Sequence, residues 1–273
     1  MGRSTAPKGF YTAAQAIKKL GIPRSTFYDM VERGQIKKIT PPNQSDGFYP
    51  QKDIDKMARE KELFILTYTQ ESSTFSKATK EDIMGIYEVC TSIWNNRTAS
   101  YEARLNSYLK NPSIYYVVKK EGIVIGFLGL IPFTHDALET IMNETQTTFY
   151  LTYSNLLEDK NNIVAFKEGE KVESLFIDMA VKQDIPKHEQ YGMRILQGFM
   201  EVLEELAEQK IIVKKLHASS SAPNAIKLCR NMRFTELPRI GESSRLRFEL
   251  DLEKTDLPIL KEYQHLTKVL QPK

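Results

Sequence analysis

The run VESLFIDMAV, Val172 to Val181, followed within a few residues by a long helical pattern, constrains the fold more than any other feature. So nearly unbroken an apolar stretch suits a strand covered on both faces, and therefore a central one. In KHEQYGMRILQGFMEVLEELAEQK, Ile195, Leu196, Phe199, Met200, Leu203 and Leu206 then recur at helical spacing, which predicts an amphipathic helix packed on that sheet. SIYYVVKKEGIVIGFLGLIPF predicts two strands around the Glu121-Gly122 turn. SKATKEDIMGIYEVCTSIW predicts an earlier amphipathic helix with Thr79 as its cap. The strand KKLHA, the helix APNAIKLCRNM and the closing strand SSRLRFELDL complete the pattern. Sheet with helices on its faces is an α/β (α+β) architecture.

The first sixty residues obey a different rule. Thr12 suits an N-cap, Ala13, Ala14, Ala16, Ile17 and Leu20 follow at helical spacing, and Gly21 suits the left-handed stop. Pro23 bars extension, and Arg24-Ser25-Thr26 opens a second helix through Phe27, Met30 and Val31 to Gly34. A short strand from Ile36 to Ile39, the turn-rich PPNQSDG and a third helix from Gln51 to about Glu62 predict a wing. The pattern divides the chain into a small winged domain at 1–62, a linker at 63–74 with FILTYT as strand or docked linker, a larger domain at 75–252 and a helical tail at 253–273.

Composition narrows the function classes. No apolar run in the 273 residues approaches the ~18 that a membrane span needs, so no membrane partner is expected. MGRSTAPKGF has no apolar secretory core. Cys90 and Cys229 form neither a disulfide framework nor a zinc site, so no metal is expected and a reducing cytoplasm is the simplest compartment. Residues 1–64 hold 12 Lys/Arg against 7 Asp/Glu, which concentrates the positive charge at one end and makes a polyanion partner an expectation for that end alone.

YTAAQAIKKLGIPRSTFYDMVERGQI followed by FYPQKDIDKM resembles the winged helix-turn-helix of MerR-type regulators and phage or plasmid excisionases, over residues 11–60. The resemblance implies double-stranded DNA as partner. Arg24, Ser25, Thr26 and Tyr28 would face base edges and phosphates from the second helix, with Lys18, Lys19, Lys37 and Lys38 on the phosphates. For each lysine a solvated surface role is the plain alternative.

Residues 75–252 resemble the GCN5-related N-acetyltransferase (GNAT) fold. KATKEDIMGIYEVC is similar to its opening strand and helix, VVKKEGIVIGFLGLIPF to its central hairpin, LFIDMAV to its fourth strand and NAIKLCRNMRF to its late helix. The family binds acetyl-CoA through R/Q-x-x-G-x-G/A, where small residues let backbone N–H groups and the helix dipole meet the pyrophosphate. The aligned stretch is Lys187-His188-Glu189-Gln190-Tyr191-Gly192, with a glutamine at the middle glycine. The resemblance therefore implies an acetyl-CoA or other acyl-CoA site formed by Met179, Val181, Lys187, Gln190, Tyr191, Gly192, Met193 and Arg194. Glu173 and Asp178 are the candidate bases on the fourth strand, and Cys229 stands in the slot of the family's proton-donating tyrosine. Arg233 replaces the glycine before Phe234. A packing role for Cys229, the satisfaction of a bulge by Asp178, and a surface or core role for His188 and His217 are the plain readings.

These features lead to the expectation of a DNA-binding transcriptional regulator, paired as a homodimer, whose larger domain binds an acyl-CoA or related ligand. The alternative is an active N-acetyltransferase, acting on an amine or protein acceptor, directed by its helix-turn-helix. A third reading keeps the transferase fold as a dimerisation scaffold. The excursion between the third and fourth strands, 135–171, either shapes an acceptor site or makes a dimer contact.

Overall fold

The computed structural model describes residues 6–41, 47–68, 73–145, 147–186, 188–241 and 243–269, and divides into two compact units, Met1–Glu71 and Ser72–Lys273.

In the first unit, β1 (Phe10–Tyr11) leads into α1 (Ala13–Leu20), which Thr12 closes with a capping box to Gln15. Gly21 ends α1 at φ 57°, its N–H donating to the Ile17 carbonyl at 3.0 Å, in the left-handed region where a side chain is penalised. After that turn, α2 spans Arg24–Glu32. β2 (Tyr49–Pro50) pairs antiparallel with β1, and α3 runs Gln51–Tyr68. Ala16, Leu20, Phe27, Ile36, Tyr49, Ile54 and Ala58 make the core that holds the helices together.

Two expectations fail here. The strand expected over Ile36–Ile39 is reduced to one bridge, in which Ile39 and Phe48 exchange backbone hydrogen bonds of 2.9 and 2.8 Å. Residues 42–46 of the wing lie outside the described residues. The linker expected at 63–74 is helical as far as Tyr68, because α3 continues through FILTY. A short apolar run fits strand and helix equally well by periodicity, and here the helix already under way extends through it.

The second unit opens with β3 (Ser73–Lys77), α4 (Asp82–Trp94) and α5 (Tyr101–Lys110). Thr79 does not cap α4 as an acceptor. Its N–H and hydroxyl both donate to Asp82 Oδ2, at 2.9 and 3.1 Å. β4 (Tyr115–Lys120) and β5 (Ile123–Ile131) form the expected hairpin, with Glu121 and Gly122 both at positive φ, the conformation of a tight two-residue turn. The excursion contains α6 (His135–Met142) and α7 (Phe149–Glu158). Then follow β6 (Lys171–Val181), α8 (His188–Glu208), β7 (Ile212–Ser220), α9 (Pro223–Asn231), β8 (Thr235–Glu236), β9 (Leu246–Asp251) and α10 (Lys261–Val269).

The described strands of this unit build one mixed sheet in the order β3-β4-β5-β6-β7-β9-β8, antiparallel except for the parallel pair β6–β7. The apolar run that reads as central is indeed the middle strand, β6. On one face, α8 packs Ile195, Phe199, Leu203 and Leu206 against Leu128, Leu130 and Leu175. On the other, Ile83, Ile86 and Val89 of α4 and Tyr153 and Leu157 of α7 pack against Phe127 and Phe176. The expected tail is part of this domain. Leu257, Leu260 and Tyr263 join the core, and the Tyr263 hydroxyl both donates to the Val213 carbonyl at 2.7 Å and accepts from its N–H at 2.8 Å. Residues 270–273 of that segment lie outside the described residues.

Candidate functional site

The sheet opens at its only parallel pair among the described strands. β6 and β7 pair from Lys171↔Ile212 to Phe176↔His217 and then part. β6 stays on β5 as far as Val181↔Gly126, while β7 follows β9 to Ser220↔Leu246. The gap therefore lies at the carboxyl ends of two parallel strands, where open α/β sheets place their ligands. The N-termini of α8 and α9 follow from those same two strand ends.

Register shows which backbone groups the gap exposes. The Lys182 N–H donates to the Ile125 carbonyl at 2.9 Å, so residues of its parity face β5. Met179 and Val181, of opposite parity, turn their N–H and C=O groups away from β5, toward the side β7 has left. These are two of the residues expected to hold a cofactor.

α8 begins at His188, inside the motif whose middle glycine is Gln190. Helical backbone at Gln190 asks nothing of glycine, which removes the conformational objection to that replacement. It also sets which backbone groups are free to donate. In a helix starting at His188 the free N–H groups belong to its first residues, among them His188, Glu189 and Gln190. Those of Gly192 and Met193 are committed to the helix ladder. Tyr191 is buried, 2% exposed, in the core. Arg194 points along the helix to Glu201 at 3.2 Å and lies over Phe75, with its guanidinium carbon 5.7 Å from the ring centroid. Lys187 lies outside the described residues. Gly192 is the informative position. A Cβ built there meets nothing within 4 Å, whereas at Gly198, two turns on, it would stand 2.3 Å from the Phe75 ring. Internal packing explains the glycine at 198 and leaves that at 192 facing open space. The backbone of Met179 and Val181, the first amides of α8 and the bare surface at Gly192 are the groups that would hold the chain of an acyl-CoA; Glu189, exposed in the first turn, is an unfavourable neighbour for its phosphates.

Asp178 faces the other side of β6. Its Oδ2 accepts from Arg104 Nη1 at 2.9 Å and from the Tyr153 hydroxyl at 2.8 Å. Arg104 is 1% exposed and lies over the rings of Phe127 and Tyr153, at 5.2 and 6.0 Å from their centroids. Burial, together with the charge of Asp178, raises the Tyr153 pKa well above that of an ordinary phenol, so the hydroxyl stays protonated and donates. The Tyr115 hydroxyl shares a hydrogen bond of 3.1 Å with that of Ser107, and burial pushes its phenol up to about 12. Gly129 lies close against this network: a Cβ there would stand 3.1 Å from the Tyr115 ring and 3.2 Å from the Asp178 carbonyl, tighter than an ordinary contact. Asp178 thus holds a buried guanidinium in place.

The other two candidate catalytic residues are elsewhere. Glu173 lies five residues back along β6, roughly 17 Å away at the usual strand rise. It is 75% exposed and pairs with Lys214 at 2.6 Å on the surface. Cys229 is 9% exposed in the core, and burial pushes its thiol up to about 11. His188 is exposed, and His217 is buried with its Nε2 3.1 Å from Glu249 Oε2. Among the described residues no cluster of three His, Cys, Asp or Glu forms a metal site, and no helix is long and apolar enough to cross a membrane.

Sequence reasoning missed Arg104 and Arg245, and saw Phe149 and Tyr153 only as part of the apolar set of the excursion. Phe149 stacks on Tyr153, with centroids 5.9 Å apart, and the Arg245 guanidinium carbon lies 3.6 Å from the Phe149 centroid. Ala103, Arg104 and Ser107 share the buried face of α5. An arginine at such spacing is a signal only once the helix itself is recognised.

In the first unit, Arg24, Ser25, Thr26 and Tyr28 are exposed on α2, and Arg24 lies 5.6 Å from the Tyr28 centroid. Lys18, Lys37 and Lys38 are exposed, Lys19 pairs with Asp55 at 3.7 Å, and the Lys38 stem lies across Gly47.

No family model matches the chain, and neither does any curated protein. Solved structures similar to it include Ard1 from Thermoplasma volcanium, at 14% identity and a TM-score of 0.40, covering 65% of this chain and 95% of that one. A structure of yncA from Salmonella typhimurium with its cofactor acetyl-CoA is 16% identical at a TM-score of 0.42, covering 68% and 98%. The loading GNATL domain of CurA from Lyngbya majuscula is 12% identical at 0.46, covering 66% and 97%. Likenesses this remote carry no argument about function.

Proposed function

We propose that the larger unit is an acyl-CoA-dependent N-acyltransferase. The observation that carries this reading is the parting of β6 from β7 beyond Phe176 and His217, with α8 starting at the open end and Gly192 bare beside it. The backbone of Met179 and Val181 would bind the amide-bearing arm of the ligand, as a strand binds its neighbour. The first amides of α8 would meet its phosphates. A bound acyl-CoA supplies a thioester: the amine nitrogen forms a bond to the acyl carbon, the carbon–sulfur bond breaks, and the proton shed by nitrogen ends on the thiolate. The part of this chain is to bind and orient. Arg104, Asp178 and Tyr153 fix β6 against α5 and α7, which keeps the open end of β6 rigid.

The test is thiol release from acetyl-CoA by the full chain over a broad panel of amines. Amine-dependent release with a matching N-acetyl product in the mass spectrum supports the reading. Its absence over the whole panel, with no binding of acetyl-CoA, sinks it.

For the first unit we propose contact with duplex DNA. The supporting observation is the exposure of Arg24, Ser25, Thr26 and Tyr28 along α2, directly after the Gly21 turn, with no acidic residue in its first turn. An α-helix of this kind fits a major groove about 12 Å wide. Paired as a homodimer, two such helices would meet successive grooves.

A further inference from the structure

Arg245 occupies the gap between β6 and β7. The Leu252 N–H donates to the Lys214 carbonyl at 2.8 Å, and the register with β9 is unbroken from Lys215 to Ser220, so from Lys214 onward even-numbered residues of β7 face β9 and odd-numbered ones face β6. The Ser219 carbonyl therefore points to where β6 would lie had the ladder continued. Instead it accepts from Arg245 Nη1 at 2.8 Å, and the Ser219 hydroxyl lies 3.3 Å from the same nitrogen. The guanidinium sits on the side where the missing strand would lie, its carbon 3.6 Å from the Phe149 ring centroid.

Only part of its donor set is used. Arg245 Nε is buried without a hydrogen-bond partner among the described residues, and no bond to Nη2 is found there. A buried donor left unpaired is costly, and such groups ordinarily find a partner. Nε and Nη2 lie along one edge of the guanidinium and present two parallel N–H groups, the fork that matches the two oxygens of a carboxylate. Asp178 acts on Arg245 through its charge but makes no hydrogen bond to it, its Oδ2 being held by Arg104 and Tyr153. Burial lowers the Arg245 pKa to about 10, against the opposing pull of Asp178, so the fork is still charged at neutral pH and poorly solvated.

We propose that the Nε–Nη2 edge of Arg245 binds a carboxylate of the substrate in the gap between β6 and β7. The inference rests on the acyl-transfer reading for its location and names the substrate class: either the amine acceptor carries the carboxylate, as an amino acid does, or the acyl group does, as in a dicarboxylic monoacyl-CoA.

Calorimetry on the full chain distinguishes these sources. One arm titrates ω-amino acids from glycine to 6-aminohexanoate, each against its carboxamide. The other titrates malonyl-CoA and succinyl-CoA against acetyl-CoA. The expected result is at least tenfold tighter binding of the carboxylate member in one arm, falling to within twofold in Arg245→Gln. Arg245→Lys, which keeps the charge and loses the fork, should fall between them. Equal binding of acid and amide together with equal binding of all three acyl-CoA thioesters overturns the inference, as does a preference that survives Arg245→Gln, or a failure of every probe to bind. Acetyl-CoA binding without carboxylate preference leaves the acyl-CoA reading standing while the inference fails. Carboxylate preference in the amino-acid arm without any thioester binding does the reverse. Should Arg245→Gln not fold, the wild-type comparison alone still overturns the inference by showing no preference.

Discussion

Arg104 and Asp178, on α5 and β6, form an ion pair of 2.9 Å in which the guanidinium is 1% exposed and the carboxylate 12%. Taking the carboxylate away strands a buried charge, which costs about 3–5 kcal/mol. Asp178→Asn is therefore expected to lower unfolding free energy in urea by that amount, and Tyr153→Phe by about 1–2 kcal/mol. Asp178→Asn with full stability and abolished acyl transfer would instead make Asp178 a catalytic base.

Much of this arrangement was legible in the sequence, and the reasons are specific. Thr12, Gly21 and Pro23 fix α1 and the start of α2 locally, so the two helices and the turn between them need no tertiary information. VESLFIDMAV reads as central because burial on both faces leaves a continuous apolar run, and β6 is the middle strand. Arg233 lies where the resembled family has glycine, and its φ of 57° keeps the left-handed backbone that glycine would supply. The partners of Asp178 were not legible. Arg104 is 74 positions away, and Tyr153 sits in an excursion whose role the pattern left open. Such pairs are set by packing across the sheet, which no local period encodes. The continuation of α3 through FILTY was hidden for the opposite reason, since its apolar run fits either element.

The two glycines of α8 should behave oppositely. Gly192→Ala fills open space in a helix and is expected to stabilise by about 0.5–1 kcal/mol while weakening acetyl-CoA binding. Gly198→Ala drives a methyl into Phe75 and is expected to destabilise by about 1–3 kcal/mol. Thermal melts of both variants, with ligand titration of the first, check the pair.

Asp82 gives a pH signature. Its burial pushes the carboxyl up, but Lys119 at 2.8 Å and the donors of Thr79 outweigh that and leave it lowered. A lowered folded pKa means stability that is present above the unfolded value of about 3.9 and lost as pH falls through the folded one. The stability difference between wild type and Asp82→Asn is expected to be constant from pH 7 to 5 and to shrink below pH 4. Urea titrations across that range check it, and a difference independent of pH would contradict it.

The DNA contact proposed for the first unit is expected to be steeply salt-dependent. Lys37→Ala combined with Lys38→Ala should weaken it similarly for all sequences and reduce the log–log salt slope by about 1 for each phosphate no longer neutralised. Fluorescence anisotropy with duplexes of varied sequence measures both quantities, and an unchanged slope would remove the wing from the interface.

The proposed acyl-CoA site calls for one titration first, of the full chain with acetyl-CoA in a calorimeter beside Gly192→Glu. Saturable binding by the wild type and its loss in the variant are expected, with the thermal midpoint of the variant retained, because the new side chain enters open space and not the core. No binding by the wild type, or equal binding by both proteins, would contradict it.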